Sequence, residues 1–409
     1  MRESIFLTKA QARRFLLIHQ GLWPPRGLSG AAGAMKYIQR VRSIQFDPLD
    51  IVGHNHELVL QSRVADFRPD MLEGLLYKSR KLLDGWDKQM SIYPVEDRPY
   101  VRRQRARGRI GPVDPPEVRR AAAEVRRALR ARGPLSSIDL EHDGKVDWPW
   151  GPTNPARAAL ESMYFRGEIV VHHRVHTRKV YDFARNHVPA EILGAKDPNR
   201  SQKDYRDWHV LRRLRGIGLV WARSSEAWLE IHGAKSRERA EAFDRLMRKG
   251  LVRRIEVEEM DEPLYMAEED RAALSRACRD PHGCPLRACI IAPLDNLLWD
   301  RGLVRSLFGF DYIWEVYKRP QERKYGYYVL PVLYGDRFVA RFEPGKDKDG
   351  SGLEIKGWWW EPGVKPSRAM KAALVECFRS FIRYLDAPGV RISATVKKTA
   401  GISWLENAP

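Results

Sequence analysis

A chain of 409 residues is too long for one ordinary hydrophobic core, so three or four domains are expected. Lys plus Arg number 72 against 53 Asp plus Glu, a formal charge of +19 with an isoelectric point of about 9.8, and the excess is clustered, which points to a polyanion, nucleic acid ahead of an anionic membrane surface. Four cysteines are too few for a disulfide framework, no N-terminal apolar run has signal-peptide form, and no apolar stretch reaches the roughly 18 residues of a membrane span, so a reducing cytoplasm is expected and export is not.

In chain order, helices are predicted near Lys9–His19 and Ala31–Val41, then a strand carrying Ser43-Ile44-Gln45-Phe46-Asp47, a helix near Pro69–Ser79 and a hairpin ending at Tyr93-Pro94. In an extended segment side chains alternate, so Gln45 and Asp47 emerge on one face while Phe46 turns into a core. With about 3.3 Å of rise per residue their Cα atoms stand roughly 7 Å apart, near enough to share a water. The carboxylate would polarise that water and the amide would fix its direction, which is equipment for hydrolysis without a metal. Taken alone, the tripeptide reads as a polar strand edge beside the Asp47-Pro48 turn; its surroundings change that reading. His54-Asn55-His56 and Gln61-Ser62-Arg63 follow closely. Imidazoles this near a carboxylate orient it, bind a phosphate, or are capped loop residues. Arg63 is an anchoring ion pair rather than a catalyst, and is grouped with the candidate polyanion contacts.

A second unit repeats the order helix, short helix, helix, two strands. Its helices run from Glu117 to Arg132 and from Pro155 to Arg166, with Gly133-Pro134 and Gly167 as punctuation. The strands Glu168–His173 and Lys179–Phe183 form a hairpin whose tip carries Arg174, His176 and Arg178. Arg102, Arg103, Arg105, Arg107 and Arg109 lie in the preceding connection, and Arg119, Arg120, Arg126, Arg127, Arg130 and Arg132 ride the first helix. Trp148-Pro149-Trp150, before the third helix, reads as a stacking platform for bases or as core.

A third copy aligns Phe243–Arg254 with Leu160–Val171, each a helix, a glycine stop and a strand. Gly216 and Gly218 read as a helix-boundary pair opening this copy, or as a phosphate-binding hairpin. Beyond Pro293 strong β-propensity sets in, with strands at Tyr325–Tyr334 and Arg337–Phe342 around the Gly335-Asp336 turn, a strand pair flanking Gly345–Gly352, and a closing helix Ser367–Leu385. Trp358-Trp359-Trp360 must place at least one ring in the core. Cys278, His282, Cys284 and Cys289 lack a CxxC pair, and Asp347-x-Asp349-Gly350 lacks the full calcium-loop spacing, so no metal is expected at either. The boundaries that follow are 1–100, 115–190, 201–278 and 290–409: three winged-helix domains and a C-terminal β-rich domain, an α+β class.

Ile44-Gln45-Phe46-Asp47 with His54, His56 and Ser62-Arg63, Trp148-x-Trp150, Pro293-Leu294-Asp295-Asn296-Leu297-Leu298-Trp299-Asp300-Arg301, and the run Tyr325–Leu333 together resemble the YcaQ/AlkZ-like family of bacterial winged-helix DNA glycosylases, and more closely its YcaQ-like branch. The resemblance covers nearly the whole chain. It implies three tandem winged helices and a C-terminal β-barrel-like domain around a concave basic DNA-binding channel, with Gln45 and Asp47 as the catalytic motif and excision of bulky alkylated purines, cross-linked guanines included. His54, His56, Arg63, Arg126, Arg127, Trp148, Trp150, Arg174, His176 and Arg178 are then the candidate DNA contacts. The expected partner is double-stranded DNA carrying alkylated or cross-linked bases, met by a monomer without cofactor or metal in the cytoplasmic nucleoid. An N7-alkylguanine is already cationic, so the enzyme must supply a counter-charge for the oxocarbenium sugar and a positioned water, which suit Asp47 and Gln45. No lysine lies near the motif, so monofunctional hydrolysis is expected rather than a Schiff-base route. A winged-helix DNA-binding regulator without catalysis is the competing reading; a regulator would pair one recognition helix with a dimer interface or effector pocket.

Overall fold

Thr8 accepts a hydrogen bond from the Gln11 amide and the Gln11 side chain accepts one from the Thr8 amide, a reciprocal cap that starts the helix Lys9–His19. The apolar face of that helix, Phe15, Leu16 and Leu17, shares one core with residues far along the chain. Val210 and Leu214 come from the helix Gln202–Ile217, Phe243 and Leu246 from Ser236–Arg248, Ile255 from the strand Val252–Val257, and Trp299, Leu333 and Phe338 from the C-terminal part. The computed structural model describes residues 4–24, 26–108, 111, 113–140, 144–149, 151–279, 286–346 and 352–407. It divides into two units, Met1–Leu72 with Arg206–Pro409, and Glu73–Tyr205.

In the first unit the N-terminal strand Ile5–Leu7 lies parallel to Val252–Val257 with Ile5 opposite Ile255, and Leu264–Ala267 pairs antiparallel on the other side. Phe243 stacks on Tyr265, ring centroids 3.9 Å apart, which locks the helix Ser236–Arg248 to that hairpin. The C-terminal sheet has five strands in sequence order, Ala288–Ile290, Leu330–Tyr334, Arg337–Lys346, Leu353–Trp360 and Val390–Ile392. Its last pair is parallel and the others antiparallel. The helix Arg368–Leu385, capped by Ser367, buries Leu374, Phe378 and Phe381. Phe378 meets Phe342 and Trp358 of the sheet, so Trp358 is core, while Trp359 and Trp360 are half-buried.

The second unit contains the hairpin Leu82–Trp86 with Met90–Pro94, which the sequence reading grouped with residues 1–100. Its helices Pro116–Arg132 and Pro155–Phe165 pack Val118, Val125, Leu129, Leu160 and Met163 against Ile169, Tyr181 and Phe183 of the hairpin Ile169–Val175 with Arg178–Phe183.

Three local expectations change. The strand carrying Gln45 is only Ile44–Gln45, because Pro48 brings no amide donor and restricts Asp47 before it. The strand expected from Tyr325 begins at Leu330. Gly216 and Gly218 close a helix rather than open one: Gly216 lies in its last turn, and Gly218, at φ +108°, ends it against the ring of His19. Trp150, His282, Cys284, Asp347, Asp349 and Gly350 lie outside the described residues.

Candidate active site

The segment Ser43–Asp47 is held by side-chain amides reaching its backbone. Asn296 donates Nδ2 to the Ser43 carbonyl at 2.9 Å and to the Gly216 carbonyl at 3.0 Å. Asn55 donates Nδ2 to the Gln45 carbonyl at 2.8 Å and accepts the Leu294 amide on Oδ1 at 2.9 Å. Between Leu294 and Asn296 stands Asp295, whose two oxygens take Nη1 and Nη2 of Arg63 at 2.8 and 2.7 Å, with both side chains fully buried. Arg63 also donates to the carbonyls of Gln20 and Val59 and packs over the Tyr37 ring, 4.8 Å from its centroid. Burial works against its charge, and Asp295 more than restores it. Every direction a guanidinium can bond is therefore spent inside the protein, so Arg63 is an internal anchor, and the expectation that it touches DNA gives way.

On this braced segment Gln45 is 7% exposed and its buried Oε1 has no hydrogen-bond partner among the described residues. A buried acceptor left unsatisfied costs about 1–3 kcal/mol. Asp47 is half-buried, and its Oδ1 accepts the Leu49 amide at 2.9 Å, an Asx turn that fixes the carboxylate. Burial pushes its pKa above the ordinary 3.8, only partly offset by the Leu49 amide and by His54.

His54 caps the helix Asn55–Gln61, with its amide on Glu57 Oε2 at 3.0 Å and its Nδ1 at 3.4 Å from the same oxygen. Tyr384 donates its hydroxyl to that oxygen at 3.0 Å. Burial would raise Glu57, but the hydrogen bond from His54 and the charges of both imidazoles bring it down to about 2. Phe46, His56 and His54 form a ring stack, with 4.7 Å between Phe46 and His56 and 5.4 Å between the imidazoles. His54, His56 and Glu57 bring one ligand atom each within 4.8 Å of one another, the chemistry of a metal site, though Glu57 is already engaged as the helix cap. The buried Tyr328 holds its phenol proton more tightly, through burial first and the negative charge of Asp47 among the other causes.

Of the remaining sequence candidates, Arg126 is committed to Glu168, its Nη2 at 2.7 Å from Oε2, while Arg127 is exposed. Trp148 is 7% exposed and donates Nε1 to Glu161 at 2.7 Å, so it belongs to the core of its unit rather than to a stacking platform. Arg174 donates to Asp84 at 2.7 Å and to the Tyr77 hydroxyl at 3.1 Å, with only 12% of its side chain exposed. It too is structural. His176, at φ +54° in the tight turn, and Arg178 are exposed. Sequence reasoning missed Asn55 and Asn296 as the residues that brace the motif. The signal was present, since both lie in quoted motifs, but nothing local says whose carbonyls they reach.

A family model described as "DNA glycosylase AlkZ-like" matches residues 38–384. Among solved structures the fold is similar to that of Streptomyces sahachiroi DNA glycosylase AlkZ, with a TM-score of 0.63 at 14% sequence identity, covering 95% of this chain and 100% of that one. No helix among the described residues is long and apolar enough to cross a membrane. The family match spans well over half of the chain and includes the Gln45–Asp47 segment, its bracing asparagines and the Arg63–Asp295 pair, and the chain belongs to the AlkZ-like DNA glycosylase family.

Proposed function

We propose that this glycosylase hydrolyses the N-glycosidic bond of N7-alkylated purines in duplex DNA, including guanines cross-linked between strands, by a monofunctional route. The observation that carries the mechanism is the buried Oε1 of Gln45, without a partner among the described residues, two positions before the half-buried carboxylate of Asp47, on a backbone held by Asn55 and Asn296. Gln45 Oε1 accepts a hydrogen from the attacking water and so fixes its lone pair toward the anomeric carbon. Asp47 opposes the positive charge that builds on the sugar as the bond to nitrogen breaks, and takes the proton that the water releases. The alkylated base leaves as a neutral molecule, since its N7 substituent had already supplied the positive charge. Preorganisation lowers the barrier because Asp47 and Gln45 need not reorient when charge develops.

The DNA contacts in this reading are the exposed Arg127, His176 and Arg178, with the half-buried His54 near the carboxylate, while His56, 6% exposed, packs on Phe46 inside the fold. The three helix-and-hairpin segments act as winged helices, and with them goes the concave basic channel that the resemblance implies. The protein works as a monomer on cytoplasmic DNA. A carboxylate that meets the sugar without enclosing the base tolerates a base tethered to the opposite strand, whereas a closed pocket for a flipped base does not. Selectivity then comes from the cationic leaving group. Denaturing gels of a doubly labelled, nitrogen-mustard cross-linked duplex test this. Loss of the slow cross-linked band with alkali-labile abasic sites is expected, together with inertness toward uracil. Persistence of that band while 7-methylguanine is released restricts the enzyme to monoadducts, and efficient uracil release removes the proposed basis of selectivity.

A further inference from the structure

A second cationic site lies wholly within the unit Glu73–Tyr205. Arg98, Arg102, Arg105 and Arg166, with the backbone around Gly194, line an open cavity of about 490 Å³. Arg166 carries its own counter-charge, since Asp114 accepts its Nε at 3.2 Å and its Nη2 at 3.0 Å. The other three have only carbonyl partners among the described residues: Arg98 on Gly167 at 2.8 Å, Arg105 on Arg98 at 2.6 Å and Arg102 on Ala195 at 3.4 Å. Arg98 is 6% exposed and Arg105 half-buried.

Guanidiniums withdrawn from water without a carboxylate are costly to a fold unless something else supplies the negative charge. Burial, and then Arg105, pull Arg98 down to about 10; burial also lowers Arg105. The local backbone is shaped to admit both side chains. At Gly167, φ +75°, an added Cβ would stand 2.8 Å from Arg105 Cδ and 3.2 Å from Arg98 Nη2, so a larger residue would push the pair apart. Several arginines lining one open cavity offer the planar donor forks that a phosphate accepts.

We propose that Arg98, Arg102 and Arg105 hold a phosphate group. Its source is a backbone phosphate of bound duplex, which rests on the DNA reading above, or a free phosphate, which does not. Arg102→Gln is the informative variant because Arg102 is exposed and its loss spares the fold; Arg105→Gln, checked by its melting temperature, is the second. Binding to an undamaged duplex is measured from 50 to 200 mM salt, which makes the outcome independent of excision. Loss of one phosphate contact lowers the slope of log affinity against log salt by about 0.9, flattening the change over that range by roughly three- to fourfold. In parallel, wild type and variants are melted in inorganic phosphate and in chloride at matched ionic strength. A flatter slope in the variants assigns the site to a DNA phosphate. An unchanged slope, with phosphate raising the wild-type melting temperature and not that of the variants, assigns it to a free phosphate. An unchanged slope with no phosphate-specific stabilisation overturns the proposal.

Discussion

In the proposed mechanism Asp47 works as an anion, and its half-buried position makes that anion harder to form. Single-turnover excision of 7-methylguanine should therefore fall along an acid limb with its midpoint above 3.8, the ordinary value. Stability responds to pH in the opposite direction to activity. The folded state holds this proton more tightly than the unfolded chain, so stability declines as pH rises from 3.8 through the raised folded value and stays lower at neutral pH. Asp47→Asn should cut the excision rate by roughly 10²–10³ while its melting temperature at neutral pH does not drop. A rate near wild type would move catalysis to another residue. Asn55→Asp keeps the size of the side chain, but it loses the donor to Gln45 and sets a carboxylate against that carbonyl. Misplacing the motif should slow single-turnover excision by about tenfold or more with the duplex Kd unchanged. A weakened Kd with an unaltered rate would make Asn55 a binding residue instead. Gln45 and Asp47 were legible in the sequence because alternation and polarity are local properties, whereas Asn55 contacts Leu294 across 239 residues and carries no local mark.

At the scale of elements, the helix Asn55–Gln61, the strand Ile44–Gln45 and the turn at Leu294–Asn296 are joined through the Arg63–Asp295 pair. Removing one partner of a buried pair strands the other charge, so Arg63→Met should cost roughly 3–5 kcal/mol in a denaturant titration. Arg63→Lys should not restore the loss, because an ammonium cannot reproduce the fork that meets Asp295, Gln20 and Val59 together. Full stability in Arg63→Met, with weakened duplex binding, would return Arg63 to the DNA contacts. Helices were the best-read elements. The predicted Lys9–His19 has the observed bounds, and Glu117–Arg132 and Ser367–Leu385 each miss by one residue at the N-terminus, because a reciprocal cap, a leading proline and a serine cap are written locally. The strand through Asp47 was overextended because the alternation runs on to Asp47, whereas the pairing stops at Gln45 ahead of Pro48.

For the whole molecule, the net charge of +19 sets an expectation about salt that burial then edits. Arg178→Ala should lower the salt slope of duplex binding by about 0.9 without altering which lesion is excised. Arg174→Ala should instead lower the melting temperature and leave that slope alone, since its guanidinium is spent on Asp84 and Tyr77. If Arg178→Ala leaves the slope unchanged, the phosphates lie elsewhere. Two arginines on one hairpin, four residues apart, thus have opposite predicted effects.

The sequence by itself determined the class, the helix starts and stops, the position of the Gln-x-Asp motif and the family resemblance, because caps, glycine stops and side-chain alternation act over a few residues. The tertiary structure decided which cations remain available and what braces the motif. It buried Arg63 against Asp295, Arg174 against Asp84 and Trp148 against Glu161, and left Arg127 and Arg178 in water. It also placed the N-terminal helix in one core with residues beyond 206 and set Glu73–Tyr205 apart as its own unit. The reason is physical: a charge far from water must find a partner wherever the fold brings one, and for Arg63 that partner stands 232 positions away.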